Sequence, residues 1–88
     1  MHRDVLAEEY RAKYRVGQRL KLRWQETDWL DRNVHRTTWR PVEVVYIGEK
    51  FVVVRLLDLK DLFSGKPLNG YCVTVLYADL ETGRAAMR

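Results

Sequence analysis

The chain has 88 residues, of which 47% are hydrophobic and 32% are charged, and its formal net charge is +4 at pH 7. This length and composition exclude a disordered chain and predict a single domain over residues 1–88 with one modest core. One cysteine excludes an internal disulfide, and no apolar run approaches the ~20 residues of a membrane span, so we expect a cytoplasmic protein without a signal peptide or a membrane partner.

The first predicted element is a helix over residues 4–15. Asp4 is a suitable N-cap, and acidic residues precede basic ones along the segment, an order that complements the helix dipole. Leu6, Tyr10 and Tyr14 recur every four residues and form one narrow apolar stripe. A helix this short is marginal alone, so we expect the stripe to dock on a β core; a partner-binding or dimerising helix is the alternative.

Residues 18–25 predict the first strand, because apolar and polar residues alternate there with period two. The apolar positions are Leu20, Leu22 and Trp24, and the polar ones are Arg19, Lys21, Arg23 and Gln25. Such a strand has one buried face and one solvated face. The solvated face carries three cations at successive alternate positions, which is the most regular basic feature of the chain.

Residues 26–40 show no clear period and predict a long irregular connection that contains Trp29 and Trp39. Fifteen residues are many for a structureless loop in a compact domain, so a single helical turn or an irregular hairpin is the alternative. Segments of this kind often carry function.

The segment Pro41–Leu57 predicts a long β-hairpin. Its two apolar runs, Val42–Ile47 and Phe51–Leu57, flank the turn Gly48–Lys50, and both are rich in residues that favour strands. Their apolar residues fall on both strand faces, which predicts that the hairpin is covered on both sides. We expect a barrel interior on one side and the helix, the long loop or another subunit on the other.

The remaining residues predict a strand over 70–77, a tight or 3₁₀ turn over 78–83 and a short last strand or frayed end over 84–88. Five short strands favour a mainly-β fold, a small five-stranded SH3-like barrel over about residues 18–88, because closure removes sheet edges. An OB-like barrel is the alternative, although Asp58–Phe63 is short for the helix it would need. This is a likeness of architecture, and it carries no function.

Catalytic and metal-binding motifs are missing from the sequence. Its two histidines and one cysteine provide neither a nucleophile–base arrangement nor the spacing of a tetrahedral metal site, and no Gly-rich loop opens a helix. We therefore expect a non-enzymatic protein without catalytic residues, metal or cofactor. Cys72 falls within a strand and is predicted to be a small buried or half-buried hydrophobic residue.

Basic residues interleaved with tryptophans are the pattern with chemical content. Cations along a groove neutralise phosphates, and an exposed tryptophan can stack on unpaired bases. The candidate binding surface is Arg19, Lys21, Arg23, Trp29, Arg32, His35, Arg36, Trp39 and Arg40. The leading hypothesis is a binding module for nucleic acid or for a nucleic-acid-handling partner. The alternative is a protein–protein or self-association module, such as a homodimer, in which these cations only solvate the strand.

Overall fold

The computed structural model describes residues 2–27, 35–67 and 70–88. The described elements are, in chain order, α1 (His2–Lys13), β1 (Arg19–Thr27), β2 (His35–Ile47), β3 (Phe51–Leu56), β4 (Cys72–Leu76) and α2 (Tyr77–Thr82). The strands form one antiparallel sheet in the order β1-β2-β3-β4, which confirms the mainly-β prediction. Neither helix combines the length and the apolar character that crossing a membrane requires, as far as the described residues go.

The predicted five-stranded closed barrel, SH3-like or OB-like, is wrong. Across the described residues the sheet has four strands and stays open, and the molecule is flat, with extents of 46 × 32 × 16 Å. The predicted last strand is reduced to one isolated bridge between Leu22 and Met87. The physical reason is that the chain enters α2 directly after β4, and residues 86–88 join the edge of β1 through three backbone hydrogen bonds at a single bridge instead of a full strand ladder.

One face of the sheet forms the core and is called the inner face here; the opposite face is the outer face. At the centre of the inner face four valines are 0% exposed: Val42, Val44, Val52 and Val54. Along β3 buried and partly exposed residues alternate strictly, as expected for a strand with one buried face. The hydrophobic alternation therefore assigns each residue of β3 to a face.

The β1–β2 ribbon is longer than predicted. Both ends of the segment 26–40, which was predicted to be an irregular connection, are strand. β1 continues to Thr27 and β2 begins at His35, and these two residues pair. Residues 36–38 are all exposed, so this part of the ribbon extends beyond the core and both of its faces meet solvent. Without a buried face there is no apolar alternation to reveal a strand. Residues 28–34 lie outside the described residues.

The predicted hairpin is confirmed as β2 and β3, but its expected coverage on both faces is wrong. The register shifts between Val44 and Tyr46, which marks a β-bulge. Val44 and Tyr46 are two residues apart and would share a face in a regular strand. The bulge turns Val44 inward and Tyr46 outward, so an aromatic side chain of β2 lies exposed on the outer face. Tyr46 is 56% exposed, and Phe51 and Val53 are partly exposed.

Helix α1 spans His2–Lys13 and not the predicted residues 4–15, so Asp4 lies inside it and is not its N-cap. The helix docks through stacked tyrosines, as its apolar stripe predicts. The ring centroid of Tyr10 lies 5.2 Å from that of Tyr77 and 6.4 Å from that of Tyr14, with nearly parallel planes. The Tyr10 hydroxyl also donates a hydrogen bond of 3.1 Å to the Glu81 carboxylate of α2. The helix is thus held against the junction of β4 and α2.

Tyr77 connects this junction to the hairpin turn. It is 2% exposed, its hydroxyl donates a 2.8 Å hydrogen bond to the Gly48 carbonyl, and its backbone N–H donates to the Lys50 carbonyl at 3.0 Å. The turn has little spare room, because a Cβ on Gly48 would lie 3.0 Å from the Phe51 ring. Burial raises the pKa of the Tyr77 phenol.

Val54→Ala tests the face assignment. We expect it to lower the free energy of unfolding by about 2–3 kcal/mol, because it removes two buried methyl groups and leaves a cavity. The matched control is Val53→Ala on the same strand, whose side chain lies on the outer face; it should lower stability by about 1 kcal/mol or less. Urea denaturation measures both, and equal losses would contradict the assignment.

Tyr77→Phe tests the tie between α2 and the hairpin turn. At neutral pH we expect it to lower the free energy of unfolding by about 1–3 kcal/mol, because the Gly48 carbonyl loses its partner. The exposed control Tyr71→Phe should have little effect.

The same variant should change the response to alkali. The folded protein holds the pKa of the Tyr77 phenol above its ordinary value of 10.0, so it favours the protonated phenol. That contribution to stability is complete below pH 10 and is lost as the pH rises through the raised pKa. Wild type should therefore lose stability above about pH 10 more steeply than Tyr77→Phe does. Parallel pH curves would contradict this role.

Candidate functional site

The outer face brings the cations of β1 beside the middle of β2. Arg19, Lys21 and Arg23 occupy alternate positions of β1, and their partners in the register are Glu43, Pro41 and Trp39, respectively. Paired residues of an antiparallel ladder share a face, so all six lie together. The ring of Pro41 is short, and it leaves a hollow between the longer side chains around it.

Arg88 adds a fourth cation from the far end of the sequence. Its backbone exchanges two hydrogen bonds with Lys21, of 2.7 Å and 2.9 Å, which places it next to β1. Its guanidinium carbon lies 3.8 Å from the centroid of the Trp39 ring, a cation–π contact that fixes the side chain over the outer face. Trp39 therefore supports a cation and is not an open stacking platform.

Three of these cations surround a shallow open pocket of about 320 Å³, called the basic pocket here. Its lining residues are Arg19, Leu20, Lys21, Pro41, Val42, Leu57 and Arg88. Three cationic side chains in a lining without a carboxylate side chain favour an anion such as a phosphate group. A larger hollow of about 560 Å³ at the α1–β1 connection is lined by Ala12, Lys13, Arg15, Val16 and Gln18 and shares no lining residue with the basic pocket.

The electrostatic balance of the outer face is positive. On the described strands its one acidic residue is Glu43, whose carboxylate already forms a partly buried ion pair with Arg55 of β3. Arg23 donates to the backbone carbonyl of Gly83. Arg19 and Lys21 are exposed, and neither forms an ion pair with a carboxylate of the described residues. These two side chains keep their charge available.

The structure brings together only part of the candidate surface. Arg19, Lys21, Arg23 and Trp39 share the outer face. Arg36 and Arg40 occupy positions of β2 that alternate with Trp39, so they belong to the inner face. His35 is the first residue of β2, while Trp29 and Arg32 lie outside the described residues.

Arg40 has a structural role on the inner side. Its Nε donates to the Asp58 carboxylate at 3.0 Å, and its guanidinium carbon lies 4.9 Å from the centroid of the Trp24 ring. Trp24 itself packs against the core and is partly buried. Arg40 is thus committed to packing the edge of the core.

The opposite end of the outer face carries an apolar patch that is exposed, whereas the sequence pattern predicted that it would be covered. This aromatic end comprises Tyr46, Phe51, Val53 and Leu76. Tyr46 is 56% exposed and Leu76 is 44% exposed, and the ring centroids of Tyr46 and Phe51 are 6.0 Å apart. The bulge concealed Tyr46, and Arg88 was concealed because its partner strand lies more than sixty residues earlier.

Cys72 is exposed, so the prediction that it is a buried or half-buried residue is wrong. It pairs with Arg55 at the margin of the sheet and lies on the outer face. The strand assignment was right, but β4 is an edge strand whose outward side chains meet solvent.

No protein-family model matches the chain, and neither curated proteins nor solved structures provide a match. Within the described ranges, no group of three or more His, Cys, Asp or Glu side chains could hold a metal ion. The interpretation of the outer face therefore depends on its own geometry and charge.

Proposed function

We propose that the chain is a small, non-enzymatic, cytoplasmic binding module that binds nucleic acid through the outer face of its sheet. The observation that supports this most directly is the convergence of Arg19, Lys21 and Arg88 around the basic pocket. Phosphate contacts of this kind supply most of the affinity in sequence-independent binding.

The chemistry of the pocket supports binding over catalysis. Its lining contains cationic and apolar side chains and includes no His, Cys, Ser, Thr, Asp or Glu. Lys21 is the one lining group that could act as a base or a nucleophile, and a lysine needs a desolvated site for that, whereas Lys21 is exposed. Phosphate binding needs only its charge. Arg88 is held by Trp39, so one donor is already ordered before an anion arrives.

The double variant Arg19→Gln/Lys21→Gln tests the proposal. We expect it to weaken binding of fluorescein-labelled oligonucleotides at low salt and to reduce the slope of log K against log salt by roughly one to two. The matched control is Lys60→Gln/Lys66→Gln, which removes the same charge from exposed lysines of the β3–β4 connection and should change the slope little. Fluorescence anisotropy at several salt concentrations measures both.

Three results would contradict the proposal. The first is the absence of binding to single-stranded and duplex oligonucleotides at low salt. The second is binding that does not depend on salt, and the third is an equal response to the two double variants, because either would mean that the basic pocket does not hold phosphates.

Self-association is the second candidate function, and the exposed aromatic end favours it. A two-fold pairing through Tyr46 and Leu76 would bury this apolar area in a second copy of the chain. Sedimentation from micromolar to millimolar concentration tests it: this function predicts a dimer that Leu76→Ser dissociates. A monomer over the whole range would contradict it.

A further inference from the structure

The outer face combines two features that the proposed function uses only in part. The basic pocket lies at one end, and the Tyr46–Phe51 ring pair lies at the other end of the same face. The tilt between the two ring planes is 34°, and Tyr46 presents more than half of its surface to solvent. Aromatic rings on an open sheet face are suited to stacking on unpaired bases.

The sheet register determines the distance between the two features. Three residue pairs follow one another along the outer face: Lys21–Pro41, Arg19–Glu43 and Tyr46–Val53. Side chains on one face repeat every two residues, about 7 Å, so Tyr46 lies roughly 7–14 Å along the sheet from the cations. A few nucleotides can span this separation with phosphates at the pocket and a base at the ring.

The local structure holds the Tyr46 ring outward. The bulge at Val44/Tyr46 sets the direction of the side chain, and Phe51 packs beside it while its own ring covers Gly48. The ring is therefore largely positioned before binding, which reduces the entropy lost when a base stacks on it. Glu43 lies between the two features, and its charge is already paired with Arg55.

We infer that the outer face binds single-stranded nucleic acid, with an unpaired base stacked on Tyr46 and the neighbouring phosphates at the basic pocket. This inference rests on the proposed function and adds the class of nucleic acid. Duplex bases are already stacked on one another, so a duplex offers phosphates to the cations but no free base face to Tyr46. The ring pair is thus the feature that distinguishes single strands from duplexes.

Tyr46→Ala tests the inference in an anisotropy titration with a short single-stranded oligonucleotide and with its matched duplex. We expect single-strand affinity to fall about 5-fold to 150-fold, the range for loss of one stacked base, and duplex affinity to stay the same. Tyr46→Phe keeps the ring and should keep the affinity, whereas Tyr46→Leu keeps apolar area without a ring and should lose it.

Phe63→Ala provides the matched control for removal of an exposed aromatic ring. Phe63 is 101% exposed, and it lies in a turn in which the Asp61 carboxylate accepts hydrogen bonds from the N–H groups of Phe63 and Ser64. Its removal should change neither affinity. Thermal melting checks that every variant is folded, which the exposure of Tyr46 leads us to expect.

The possible failures are distinguishable. Equal wild-type affinity for single strand and duplex, or an equal loss of both in Tyr46→Ala, would overturn the single-strand inference and leave the proposed function standing. An unchanged single-strand affinity in Tyr46→Ala would overturn it as well. Absence of binding to both oligonucleotides at low salt would overturn the proposed function itself. A dimer that Tyr46→Ala dissociates, with no change in single-strand affinity, would assign the aromatic end to self-association.

Discussion

The buried phenol of Tyr77 is the interaction on which the arrangement of the chain depends. Its ring stacks on Tyr10 and so positions α1, its hydroxyl binds the Gly48 carbonyl, and its backbone begins α2. The ring contact and the hydroxyl contact each join segments that are distant in sequence. The turn held in this way is also the turn beside the Tyr46–Phe51 pair. Packing on the inner side of the molecule therefore helps to position side chains on its outer side.

The alternation of side chains along each strand links the two faces of the sheet. Because Val42, Val44, Val52 and Val54 must all be buried together, the register of β2 and β3 has a single favourable setting. A slip of one residue would expose the valines and bury charged side chains, which is strongly unfavourable. The position of the cations on the outer face thus follows from hydrophobic packing on the inner one.

Local patterns predicted local features well. The alternation in residues 18–25 identified β1 and the solvated face of Arg19, Lys21 and Arg23, and the composition of Pro41–Leu57 identified the hairpin. Both predictions depend on neighbours in sequence. The period is visible there because one face meets the core and the other meets water.

Features set by distant contacts or local irregularities could not be read in this way. A one-residue bulge in β2 turns Tyr46 to the exposed outer face, which the sequence pattern of the hairpin does not show. The first residues of β2 are solvated on both faces, so no alternation marks them as a strand. Arg36 and Arg40 were grouped with Trp39 because they are close in sequence, although strand parity separates their faces. Arg88 joins the site only through its pairing with Lys21, which no local pattern encodes.

The outer face gathers three like charges around one pocket. Arg19, Lys21 and Arg88 surround one pocket, and like charges held close together oppose the compact state. Trp39 and Gly83 hold the guanidinium groups of Arg88 and Arg23 in place without neutralising them. A sequence selected for stability alone would disperse such a cluster, and departures of this kind are typical of binding sites. An anion bound at the pocket would relieve the repulsion, so anion binding and folding stability should be thermodynamically linked in this protein.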